Sequence, residues 1–189
     1  SGMSRGLGDV YKRQVYVSDD GTYLAVGAAN EDQNGSNSGA VYIFYRADIT
    51  SNFAQQAKLD PSDGAFNDEF GTSVSLNADA TYCVGGAEGE YGTPYQGTDT
   101  GAAYVFTRSG TSWTEQAKLN ASDLATFDKF GCTVDINDNA TYIAVGAEGE
   151  SRTNNFTSSG LGAVYIFTRS GTTWSLSLIH ISEPTRHSA

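Results

Sequence analysis

Between Gln116 and Phe167 the chain repeats, at an interval of about 60 residues, a pattern already present from Gln56 to Phe106. The first copy reads Gln56-Ala-Lys-Leu-Asp-Pro-Ser-Asp, Glu69-Phe-Gly, Thr81-Tyr-Cys-Val-Gly-Gly-Ala-Glu-Gly-Glu and Gly101-Ala-Ala-Tyr-Val-Phe. The second reads Gln116-Ala-Lys-Leu-Asn-Ala-Ser-Asp, Lys129-Phe-Gly, Thr141-Tyr-Ile-Ala-Val-Gly-Ala-Glu-Gly-Glu and Gly162-Ala-Val-Tyr-Ile-Phe. A partial third copy precedes both, with Thr22-Tyr-Leu-Ala-Val-Gly-Ala and Gly39-Ala-Val-Tyr-Ile-Phe. Self-similarity at a fixed period means one supersecondary unit built several times, so the repeat decides the architecture before any single residue does.

Each unit holds four short runs rich in Tyr, Val, Ile, Phe or Thr, bounded by turn residues. Twelve strands are expected, at about 15–18, 22–28, 40–46, 53–59, 71–76, 81–87, 102–108, 113–119, 131–136, 141–147, 162–168 and 173–180. Ser109-Gly-Thr-Ser and Ser170-Gly-Thr-Thr read as hairpin turns, and Asn137-Asp-Asn-Ala as another. No stretch offers ten residues of helical period with caps. The expected fold is therefore all-β: β-propeller blades of four antiparallel strands, about three blades per chain. A parallel solenoid and a β-sandwich are the competing arrangements. The first usually has a shorter coil and lacks tight hairpins; the second leaves the period unexplained.

The formal net charge of -11 argues against nucleic-acid binding and against electrostatic attachment to anionic membranes. No apolar run approaches the 18 residues of a membrane-spanning helix. Cys83 aligns with Ile143 and Cys132 with Thr72, so the two cysteines read as separate space-filling thiols, with a disulfide as the alternative.

Register begins at Val15 and fails after Ser175. The expected division is a foreign segment at 1–14, blades at 15–175, and a foreign tail at 176–189 whose first part completes a strand. Ser1-Gly2 reads as a cloning scar. Both ends resemble translated sequencing adapters, so the blades are expected to be a piece of a longer reading frame. Both histidines lie in these ends, so neither carries an inferred chemistry.

The repeat resembles the FG-GAP repeats of integrin alpha-chain propellers and of secreted bacterial surface proteins. Phe70-Gly71 and Phe130-Gly131 carry the likeness, with Val84 to Ala87, Val145 to Ala147 and Val26 to Ala28. The opening copy has lost its Phe-Gly. The architectural residues are Phe70, Gly71, Gly86, Phe130, Gly131 and Gly146: glycines at strand ends where a bulge or close approach excludes a side chain, phenylalanines filling the space between blades. The resemblance implies a calcium loop, and Asp135, Asn137 and Asn139 have the alternating spacing for one. The loop is short and lacks the closing glycine, so an Asn/Asp turn capping its own backbone is the other reading.

Binding is expected in the variable loops that follow each Val-Gly-Ala, at Ala29 to Ser38, Glu88 to Thr100 and Glu148 to Gly160. Tyr91, Tyr95, Asp99, Arg152, Asn154 and Asn155 are the candidates, aromatics to stack on a sugar and polar groups to bond its hydroxyls. Glu88/Glu90 and Glu148/Glu150 recur, which suits an acidic rim more than a catalytic pair, since catalysis needs one asymmetric pocket. No Ser-His-Asp set, metal-spaced Cys/His cluster or phosphate loop is present. The expectation is a non-catalytic extracellular module for adhesion or ligand binding. A purely structural module and a fragment of a carbohydrate-active enzyme are the alternatives. No cofactor is expected beyond that calcium. Three blades are too few for a ring of four to eight, so self-association is expected, most simply a dimer closing six blades.

Overall fold

A computed structural model describes residues 14–90, 100–121, 123, 125–149 and 162–179. Among these residues it contains strands and turns and no helix. The strands are β1 (Gln14–Val17), β2 (Tyr23–Ala28), β3 (Ala40–Tyr45), β4 (Ala54–Leu59), β5 (Phe70–Leu76), β6 (Tyr82–Ala87), β7 (Ala102–Ser109), β8 (Ser112–Leu119), β9 (Phe130–Ile136), β10 (Tyr142–Ala147), β11 (Ala163–Ser170) and β12 (Thr173–Ile179). They form three four-stranded antiparallel sheets, β1–β4, β5–β8 and β9–β12, each meandering in chain order. The chain is all-β, and the three sheets are propeller blades. Boundaries fall within two residues of those read from the sequence. Gly110 and Gly171, both at φ 62°, open the two-residue hairpin turns that join β7 to β8 and β11 to β12.

Side chains alternate between the two faces of each sheet, and each blade therefore presents one face to the blade before it and one to the blade after. Between blades 1 and 2, Ala25, Val41, Ile43 and Leu59 pack against Phe70, Val74, Leu76, Cys83, Tyr104 and Phe106. Between blades 2 and 3, Val84, Ala103, Val105 and Leu119 pack against Phe130, Val134, Ile136, Ile143, Tyr165 and Phe167. Phe70 meets Tyr104 edge-on with ring centroids 5.6 Å apart, and Phe130 meets Tyr165 at 5.3 Å. Each pair contributes about 1 kcal/mol beyond its buried area.

The Phe-Gly pair explains the close approach of the blades. Phe70 makes a parallel bridge to Gly39 of the preceding blade, and Phe130 makes the same bridge to Gly101. The chain bulges there: pairing of β5 with β6 jumps from Phe70 to Ser73. Gly71 and Gly131 take φ of 87° and 93°. A Cβ on Gly71 would overlap the carbonyl oxygen of Ala40, and one on Gly131 that of Ala102. On the receiving side, a Cβ on Gly27 or Gly86 would overlap the carbonyl oxygen of Gly71 or Gly131. Cys83 is buried and free, and Cys132 is half-buried and free.

Two blade faces have no neighbouring blade among the described residues. Val15 and Val17 are 55% and 51% exposed, whereas their equivalents Val74, Leu76, Val134 and Ile136 are buried. At the other end Ala144, Val164 and Ile166 are only half-buried. Their equivalents Ala25, Val41 and Ile43 in blade 1, and Val84, Ala103 and Val105 in blade 2, are fully buried.

Candidate functional site

The loops that follow β2, β6 and β10 are pinned to the scaffold at equivalent points. In the first, the amides of Asn67, Glu69 and Phe70 donate to the carbonyls of Ser36, Asn37 and Ser38. In the second, Gly89 N–H donates to Asp68, Gly101 N–H to Glu90, and Phe130 N–H to Thr100. In the third, Gly149 N–H donates to Asp128. Each loop is thus fastened by the connection leading into the next blade or its own. Tyr91, Tyr95, Asp99, Arg152, Asn154 and Asn155 lie outside the described residues, as does Glu150.

At the roots of these loops lies a polar cluster that the sequence signalled only as a repeated Gln-Ala-Lys and a repeated Tyr. In blade 2, Lys118 Nζ lies 2.6 Å from Glu90 Oε1 and 2.8 Å from Asp63 Oδ2, and Tyr104 Oη donates to Asp63 Oδ1 at 2.8 Å. In blade 1, Lys58 Nζ lies 3.0 Å from Glu31 Oε2 and 3.2 Å from Asp60 Oδ1. In blade 3, Tyr165 donates to Asp123 at 3.1 Å. Burial works to lower the Lys118 pKa, but the hydrogen-bonded carboxylates of Asp63 and Glu90 outweigh it and hold the ammonium charged. Burial also opposes ionisation of Asp63, and its bonds from Lys118 and Tyr104 win, lowering its pKa. Asp68, buried and facing Glu90, is pushed up to about 6 by desolvation, although it accepts the Ala65 N–H at 2.6 Å. A lysine held protonated is not a nucleophile; this cluster anchors loops. Glu90 is correspondingly buried and not part of an open acidic rim, while Glu148 pairs with Lys129 at 2.7 Å.

At the turns joining the first two strands of each blade the oxygens serve the backbone. Asn137 Oδ1 accepts the amides of Thr141 and Tyr142, both at 2.8 Å, and Asn137 Nδ2 donates to Asn139 Oδ1 at 2.9 Å. Asn139 Oδ1 also accepts the Thr141 hydroxyl at 2.6 Å. Asp135 faces the neighbouring blade, where its Oδ1 accepts the Ser75 hydroxyl at 3.0 Å. Asn77, Asp79 and Thr81 repeat the turn geometry in blade 2. The turn closes on a residue in the left-handed region, Gly21, Ala80 or Ala140 at φ 68°, 50° and 50°. Among the described residues no group of three or more His, Cys, Asp or Glu is placed to hold a metal ion, and no helix is long and apolar enough to cross a membrane.

A second repeated constellation crosses the seams. Arg108 of blade 2 lies over the Tyr23 ring of blade 1, 4.4 Å from its centroid, and Arg169 of blade 3 lies over Tyr82 of blade 2 at 4.8 Å. Carbonyls aim these guanidiniums: Arg108 Nε donates to Ala80 O at 2.7 Å and Arg169 Nε to Ala140 O at 2.5 Å. Beside them Trp113 Nε1 donates to Gln56 Oε1 at 3.1 Å, and Trp174 Nε1 to Gln116 Oε1 at 2.9 Å. The repeated Thr-Tyr and the Arg-Ser-Gly of the hairpins were the available signals.

A family model described as the FG-GAP repeat matches residues 8–44, 53–106 and 113–167. No curated protein matches the chain. Among solved structures, TolB from Acinetobacter baumannii is similar at 10% identity and a TM-score of 0.46, covering 88% of this chain and 32% of that one. The tricorn protease is similar at 9% identity and a TM-score of 0.48, covering 87% and 14%. A structure from an analysis of two prolyl endopeptidases is similar at 11% identity and a TM-score of 0.49, covering 92% and 22%. The chain spans about a third or less of the length of each.

Proposed function

This chain belongs to the FG-GAP repeat family, and from that premise we propose that it is a non-catalytic extracellular module for adhesion or ligand binding. Its binding surface is formed by the loops after β2, β6 and β10. The observation that supports this reading is the contrast between fixed roots and variable spans. Equivalent backbone bonds hold the loops at equivalent scaffold positions, while the sequences between them differ from copy to copy. A rigid scaffold presenting variable loops is the usual arrangement for recognition. Tyr91, Tyr95, Asp99, Arg152, Asn154 and Asn155 supply stacking and hydrogen-bonding groups suited to a glycan or a protein surface. The same reading has the two open blade faces associating, most simply as a two-fold dimer of six blades.

Screening the chain on glycan and extracellular-protein arrays tests the binding role. Retention of a defined ligand, lost in Tyr91→Ala or Arg152→Ala with the fold intact, is the expected result. Absence of any ligand that depends on these loops would favour a purely structural module.

A further inference from the structure

We propose that the open face of blade 3, centred on Tyr142, receives the open face of blade 1 of a second copy, with Arg46 of that copy lying over the Tyr142 ring. The inference rests on the self-association proposed above and identifies its seam. The two faces are the repeat equivalents of surfaces that already meet twice inside the chain. On the receiving side, Tyr142 holds the position of Tyr23 and Tyr82. It is 54% exposed, whereas Tyr23, beneath Arg108, is 9% exposed. Ala144, Val164 and Ile166 surround it with the apolar set that is fully buried in blades 1 and 2.

The donating side matches. Arg46 holds the position of Arg108 and Arg169 and is aimed by the same device: Nε donates to Gly21 O at 2.7 Å and Nη1 to Ile49 O at 3.1 Å. Its guanidinium stacks over Phe53, the counterpart of Trp113, at 4.6 Å. Val15 and Val17 stand beside it, uncovered. The polar pairing is matched in its loss as well. Phe53 stands where Trp113 and Trp174 donate an indole N–H, and Ser177 stands where Gln56 and Gln116 accept it. A seam joining these faces has no indole N–H left without an acceptor at that point. Used twice about a two-fold axis, it closes six blades without an open face.

Sedimentation equilibrium on the full chain tests the seam. The unmodified protein is expected to dimerise with concentration. Tyr142→Arg, which sets a like charge against Arg46 on an exposed site, is expected to weaken the dimer about tenfold or more. Thr111→Arg, on an exposed hairpin tip, is expected to leave it unchanged. Arg46→Glu is expected to weaken it, and Tyr142→Lys added to Arg46→Glu to restore it in part. If the protein dimerises and Tyr142→Arg dimerises as tightly, the seam is wrong while self-association stands. If the unmodified chain stays monomeric throughout, self-association itself fails, and the seam with it.

Discussion

Gly131 is the residue at which sequence, backbone and packing meet most tightly. Its φ of 93° lies in the left-handed region, and a Cβ would overlap the Ala102 carbonyl oxygen. Gly131→Ala is therefore expected to cost about 3 kcal/mol in urea denaturation, combining backbone strain and displacement of the neighbouring blade; a loss under about 0.5 kcal/mol would contradict the close approach. Asp68 gives a pH signature. Its folded pKa of about 6 lies above the ordinary 3.8, so the native state holds the proton more tightly than the unfolded chain. Its contribution is present below about pH 4 and is lost as pH rises toward 6, by at most about 3 kcal/mol. Asp68→Asn should remove that fall, gaining stability relative to the parent between pH 4 and 7; a constant difference across that range would contradict it. Residue-level roles were only partly legible. The alternation of Asp135, Asn137 and Asn139 serves a calcium loop and a self-capped turn equally well. Only the folded turn shows where the two asparagine oxygens go: Asn137 Oδ1 to the Thr141 and Tyr142 amides, Asn139 Oδ1 to the Thr141 hydroxyl. Glu90 suits an acidic rim in the sequence because its cation, Lys118, lies 28 residues away.

At the scale of elements, the strands were legible because alternating apolar runs and turn residues are local properties. The faces were not, because spacing alone does not say which neighbour a blade meets or that Arg108 and Arg169 reach across a seam. The last strand is the informative exception. β12 runs to Ile179, past Ser175, where the repeat register ends, and its pairing with β11 includes Phe167 with Leu176 and Tyr165 with Ile179. Strand pairing tolerates such substitution because the ladder is made by backbone groups and the face needs only apolar volume. Removing residues 176–189 should strip the outer edge of β11 of these partners. The melting temperature is expected to fall by about 5 °C or more, with aggregation on heating. An unchanged melting temperature would mean that β12 adds nothing to blade 3.

At the scale of the molecule, three blades packed face to face leave one donating and one receiving surface, each the counterpart of a surface buried twice within the chain. That arrangement predicts its own remedy in a second copy, because apolar faces of this kind associate. The most direct measurement is the mass of the unmodified chain in solution, by light scattering after size exclusion at several concentrations. A concentration-dependent species at about twice the chain mass of 20.0 kDa is expected, without growth to larger assemblies, because six blades close a ring. A compact monomer at all concentrations, or an open-ended series of oligomers, would contradict closure by two copies.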